Sequence, residues 1–95
     1  KMNSNFNLLF DIFDHCILME DLSDLTPELF AKAVAEQYIE AIQKEGMIIP
    51  QASYHMLLAS ISEETLNIYR KKSYGFYDLK AYQKSVIHKI SENDF

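Results

Sequence analysis

The segment from Leu25 to Met47 carries the chemistry for both ends of one helix, and it limits the fold more tightly than any other part of the chain. Thr26 stands where its hydroxyl can accept from a free amide of the first turn, and Pro27 stands where its missing N–H costs nothing. Glu28 meets the positive end of the helix dipole. Leu25 before the cap and Phe30 at the fourth helical position form a hydrophobic staple. At the far end Gly46 supplies a residue able to turn left-handed, and Met47 folds back onto Ile42. Between these ends Phe30, Val34, Tyr38, Ala41 and Ile42 make one apolar stripe, with Lys32, Glu36, Glu40 and Lys44 on the opposite face.

Helical spacing continues on both sides. Upstream, Phe6, Leu9, Phe10, Phe13 and Ile17 form one stripe, and Leu8, Ile12, Cys16 and Met19 form a second. A helix apolar on most sides either lies in the middle of the fold or has one stripe covered by another subunit, and in a small chain the second option is expected. Downstream, Pro50 opens a helix with Tyr54, Leu57, Leu58 and Ile61 inward. Ser60 followed by Glu63 makes a capping-box pattern and Ser62 is a second cap, so a break is expected near residue 61. Leu66 and Tyr69 face the core of the next helix, whose end carries Arg70, Lys71 and Lys72, and Gly75 stops it. Asp78 caps a last helix with the stripe Leu79, Tyr82, Val86 and Ile90, and Tyr77 pairs with Tyr82 as a staple. The fold class is therefore all-α, a compact bundle of four to five short helices. A chain of 95 residues buries about 60–65% of its unfolded surface, enough for one core, so a single domain over 1–95 is expected with 1–5 and 91–95 frayed.

Charge is divided unevenly. Residues 1–65 hold three lysines against eleven carboxylates, while 66–95 hold six bases against Asp78, Glu92 and Asp94, within a total of −5. The basic end interleaves Tyr74, Phe76, Tyr77 and Tyr82 with Arg70, Lys71, Lys72, Lys80, Lys84 and Lys89. Such a tract suits nucleic acid or an acidic protein surface. Membrane association is not expected, because the apolar run 6–19 is short, acidic and interrupted by Asp11, Asp14 and His15. One cysteine, Cys16, closes no internal disulfide, and no basic leader precedes an apolar run. A cytoplasmic location is expected.

Signatures of catalysis are thin. Asp11 and His15 share a helix face, but no second His or Glu-x-x-His element completes a metal site. His15 and Cys16 are neighbours on a helix and diverge by about 100°, so the imidazole does not activate the thiol. Glu36 and Glu40 lie together on a solvated face. Neither a glycine-rich phosphate loop nor a nucleophile elbow occurs. No enzyme activity, cofactor, metal or small-molecule substrate is expected.

The run ASISEETLNIYRKK resembles the turn and second helix of helix-turn-helix DNA-binding proteins. That resemblance implies Ile61 plugging the turn, Ser62 opening the recognition helix, and Leu66 and Tyr69 anchoring it. Residues 54–72 would enter the groove, with Arg70, Lys71, Lys72, Lys80, Lys84 and Lys89 on phosphates. Glu63 and Glu64 fall at the groove-facing start, opposite like charge, so this reading ranks second. Ranked first is a small cytosolic interaction or regulatory protein that engages a protein partner. Homodimerisation is expected through Phe6, Leu8, Leu9, Ile12, Phe13, Cys16 and Met19.

Overall fold

The computed structural model describes residues 4–93, with side chains described from Asn7 onward. It is all-α: α1 (Ser4–Met19), α2 (Pro27–Lys44), α3 (Tyr54–Lys72) and α4 (Leu79–Glu92), with a single 3-10 turn at Gln51–Ser53 leading into α3. α2 and α3 form a long antiparallel pair. α1 packs on α2 and α4 packs on α1, giving a body 44 × 28 × 21 Å across.

Both ends of α2 form as its sequence dictates. The Thr26 hydroxyl accepts from the Leu29 amide at 3.1 Å. At the exit Gly46 has φ +108°, the Gly46 amide donates to the Gln43 carbonyl at 3.0 Å and the Met47 amide to the Ile42 carbonyl at 3.0 Å. These two bonds satisfy carbonyls that the helix end would otherwise leave unpaired.

One core runs through all four helices. It joins Leu9, Phe13, Cys16 and Ile17 of α1 to Phe30, Val34, Tyr38, Ile39 and Ile42 of α2, and then to Ile68, Tyr69, Leu79 and Tyr82. Phe13 and Phe30 meet edge to face with centroids 5.4 Å apart. Each such side chain contributes about 1.5–3 kcal/mol by leaving water. The last turn of α1 has no basic residue to offset its dipole. Instead the buried Gln83 amide of α4 donates to the Ile17 carbonyl at 2.8 Å and the Glu20 carbonyl at 3.0 Å.

Three expectations need correction. α3 does not break near residue 61 but runs unbroken from Tyr54 to Lys72, so the described residues form four α-helices. The reason is register: Tyr54, Leu57, Leu58, Ile61, Thr65 and Ile68 stay on one helical face towards α2, and an interruption would throw the second half out of phase. The fully enclosed Thr65 hydroxyl is satisfied inside the same helix, donating to the Ile61 carbonyl at 2.7 Å. Second, the helix-turn-helix resemblance fails geometrically, because residues 54–72 contain no turn. Third, Tyr77 forms no staple with Tyr82, since it is 90% exposed. Ser4, Asn5, Ser91 and Glu92 lie within α1 and α4, and the expectation of fraying at 1–3 and 94–95 falls outside the described residues.

Candidate interaction surface

The expected interface on α1 is largely the inside of the protein. Leu9, Phe13 and Cys16 are 2%, 0% and 1% exposed, enclosed by α2 and the loop residue Leu22. This corrects their assignment as partner contacts: α1 lies between α2 and α4, so a helix apolar on most sides is what that position demands. Leu8 and Ile12 are half-buried and packed against the core, Met19 is exposed, and the side chain of Phe6 lies outside the described residues. Burial also decides the chemistry of Cys16. Its thiol is pushed up to about 11, first by burial and then by the Glu20 charge, so it stays protonated and packs as a small hydrophobe.

The six bases of the second expected surface are dispersed. The Lys72 ammonium is 2.8 Å from an Asp14 carboxylate oxygen and sits over the rings of Phe10 and Phe13, which takes it out of the basic surface. Half-buried Lys80 lies near Asp21. The Asp21 carboxyl is held below its ordinary value first by the Ser23 amide, next by the Ser23 hydroxyl, and further by Lys80. Lys84 is exposed along α4. Arg70 and Lys71, both exposed, and Lys89 remain around the corner between α3 and α4.

Hydrogen bonds brace that corner, which presents aromatic rings outward. The Ser73 amide donates to the Tyr69 carbonyl at 2.8 Å, and the Phe76 amide then donates to the Ser73 carbonyl at 3.1 Å. From inside, the Tyr69 hydroxyl donates to the Phe76 carbonyl at 2.7 Å, and burial raises that phenol above its ordinary value. Asp78 closes the loop by accepting from the Lys80 amide at 2.9 Å. Chain reversal is achieved by Tyr74 at φ +54° followed by Gly75 at φ +91°. A bulky residue in the left-handed region is uncommon and energetically costly. Its ring is 80% exposed with the Lys89 ammonium 5.2 Å from the centroid, and Tyr77 beyond it is 90% exposed. Beside Tyr77 lies an open groove of about 330 Å³, whose walls include Leu66, Tyr69, Arg70, Phe76 and Tyr77 from the corner and Pro27 and Glu28 from α2, while Tyr74 lines a separate hollow with Asp14, Lys72, Val86 and Ile90.

This arrangement offers contact area, cations and shape. Among the described residues, no three His, Cys, Asp or Glu side chains are grouped to hold a metal ion, and no helix is long and apolar enough to cross a membrane. Compared with known proteins, the chain matches no family model, no curated protein and no solved structure.

A second surface escaped the sequence reading. At the outer end of the α2–α3 pair Ile48 is 90%, Met56 78% and Met47 49% exposed. The signal was present: from Gly46 through Ser62 the chain has no Asp, Glu, Lys or Arg, although such residues make up 24% of it.

Proposed function

We infer that this chain is a small non-catalytic interaction protein of the cytosol, a regulator or adaptor that grips an acidic face of a protein partner with its α3–α4 corner. The observation that carries this reading is Tyr74, held left-handed outside the core under the Lys89 ammonium. Backbone strain in a bulky exposed residue is a cost to folding, and a binding role accounts for its persistence. Tyr74 and Tyr77 stand on a loop already fixed by hydrogen bonds, so they deliver aromatic contact area with little further loss of freedom on binding. Arg70 and the tyrosines are also the residue types that dominate binding energy at protein interfaces.

Charge selects the kind of partner. Arg70, Lys71 and Lys89 supply cations around the corner, which also holds Asp78 and meets Glu28 across the groove. A partner that sets a carboxylate against Arg70 or Lys89 gains from these cations, and that association slows as salt is added.

A photoreactive amino acid placed at position 77, compared with the same group at Glu36 on the solvated face of α2, tests the reading. The expected result is a discrete protein adduct from native lysate at position 77, absent at 36 and unchanged by nuclease. Equal, diffuse labelling at both positions removes the corner as a binding surface. An adduct abolished by nuclease transfers the corner to nucleic acid, with Arg70, Lys71, Lys84 and Lys89 as phosphate contacts.

A further inference from the structure

We propose that the hollow between α1, α4 and the end of α3 binds a small apolar molecule ending in a carboxylate. The hollow has a volume of about 320 Å³, within the ~300–1,000 Å³ range of sites that enclose small ligands. Its apolar wall comes from Ile17 and Leu18 of α1 and from Val86 and Ile90 of α4. Asp14, Lys72, Tyr74 and Tyr82 supply the polar groups. The hollow shares no lining residue with the groove beside Tyr77, so this assignment does not depend on the partner gripped there.

Tyr82 calls for an acceptor. Its side chain is 7% exposed, and its ring is held against Tyr69 and Phe76 with centroids 5.7 Å and 6.2 Å away. Among the described residues its hydroxyl has no hydrogen-bond partner, and no sealed side-chain nitrogen or oxygen lacks one, so the hydroxyl opens into the hollow. Burial first, then the Asp14 charge and Tyr74 of the same lining, push this phenol up to about 12, so it stays a proton donor at neutral pH. An enclosed donor without a partner costs stability, and a ligand oxygen that accepts from it removes that cost. Charge then selects an anion. The Lys72 ammonium spends one of its N–H donors on Asp14, 2.8 Å away, and keeps others for a ligand. At the rim the Lys89 ammonium stands 5.2 Å from the centroid of the Tyr74 ring. Two ammonium groups thus face the single lining carboxylate of Asp14, and one ligand carboxylate closes the balance. Asp11 on the same helix and Glu92, paired with His88 at 3.2 Å, stand outside the lining. An aliphatic tail covers the apolar wall, including Ile90, which is 50% exposed.

Titration of the whole chain with octanoate, followed by amide shifts in two-dimensional NMR, is the test. Saturable binding is expected with Kd on the order of 1 mM for a ligand of this size, with shifts centred on Ile17, Leu18, Val86 and Ile90. Octylamine brings a further cation to Lys72 and Lys89 and should bind at least about 10-fold more weakly, a comparison that needs no variant. Tyr82→Phe keeps the ring, removes only the donor and should weaken octanoate by about 10-fold. Asp14→Asn frees the Lys72 ammonium and removes a competing carboxylate, so it should tighten octanoate several-fold. Octylamine or octanol binding as well as octanoate would mean that the hollow is merely apolar, and that overturns the proposal. Shifts spread evenly over the chain, no shifts at all, an indifferent Tyr82→Phe or weaker binding by Asp14→Asn overturn it too.

Discussion

The Lys72 ammonium lies 2.8 Å from a carboxylate oxygen of Asp14, joining the last turn of α3 to the middle of α1 across 58 positions of sequence. The two side chains are 39% and 56% exposed, so water screens the pair and its coupling should be below about 1 kcal/mol. Lys72 does more than pair, because its ammonium also rests 5.9 Å and 5.6 Å from the ring centroids of Phe10 and Phe13. Lys72→Ala should therefore destabilise more than Asp14→Ala, while the double-mutant coupling shrinks as salt rises. Urea unfolding of the four species measures both. Equal losses from the two single variants would mean that the aromatic contact contributes nothing.

Phe13 is enclosed and stacked edge to face on Phe30. Phe13→Ala should cost about 3–5 kcal/mol, a large share of the ~5–15 kcal/mol that holds a domain together. Met19, on the same helix but 69% exposed, should tolerate alanine within about 0.5 kcal/mol. Chemical denaturation separates the two cases. A harmless Phe13→Ala would return α1 to the surface.

Among the described residues, Gln83 is the one side chain of α4 that bonds to the end of α1, donating to both Ile17 and Glu20 carbonyls. Gln83→Leu keeps the bulk and removes both donors, leaving an enclosed carbonyl unpaired. A loss of about 1–3 kcal/mol is expected from the urea midpoint. Amides near Ile17 to Asp21 should exchange with solvent faster in that variant. A near-neutral change would show that water replaces the lost donor at no cost.

Alkaline stability should be limited by Cys16. Its thiol rises from 9.0 to about 11, so the folded chain holds this proton more tightly than the unfolded chain does. The contribution is complete below pH 9 and is lost as pH climbs towards 11. Tyr82 acts in the same direction slightly higher, from 10.0 to about 12, chiefly through burial and then the Asp14 charge. Cys16→Ala should flatten the decline in the lower of these windows. An unchanged slope would assign the titration to other groups.

At Tyr74 stability and binding should move in opposite directions. Asparagine tolerates the left-handed backbone better, which recovers part of the roughly 1–2 kcal/mol of strain. Loss of the Lys89 contact removes about 0.5–1 kcal/mol. Tyr74→Asn should thus raise the melting temperature slightly while lowering photocapture at position 77. A variant less stable than wild type would show that the ring contributes more to the fold than its exposure indicates.

Legibility in the sequence varied with how local the deciding physics was. Thr26, Pro27, Gly46 and Asp78 act within a turn of their own position, and each terminates a helix as its chemistry demands. Ser60, Ser62 and Glu63 offered an equally local cap, yet α3 continues through them. Packing of Ile61, Thr65 and Ile68 in one register outweighs a cap worth about 1 kcal/mol. The two stripes of α1 were visible, but whether α4 or a second subunit covered one of them is a tertiary fact. Tyr74 was visible only as an aromatic in a basic tract, since Gly75 beside it seemed sufficient to end α3. The uncharged stretch from Gly46 to Ser62 was readable, but only the fold could place Ile48 and Met56 outside.

α3 links the two surfaces described above without a joint. Nineteen residues of helix make a rod about 28 Å long, with the methionine-rich patch at its start and the tyrosine loop at its finish. Cover along that rod is unequal, so its amides should exchange with solvent fastest from Tyr54 to Ile61 and slowest from Thr65 to Tyr69.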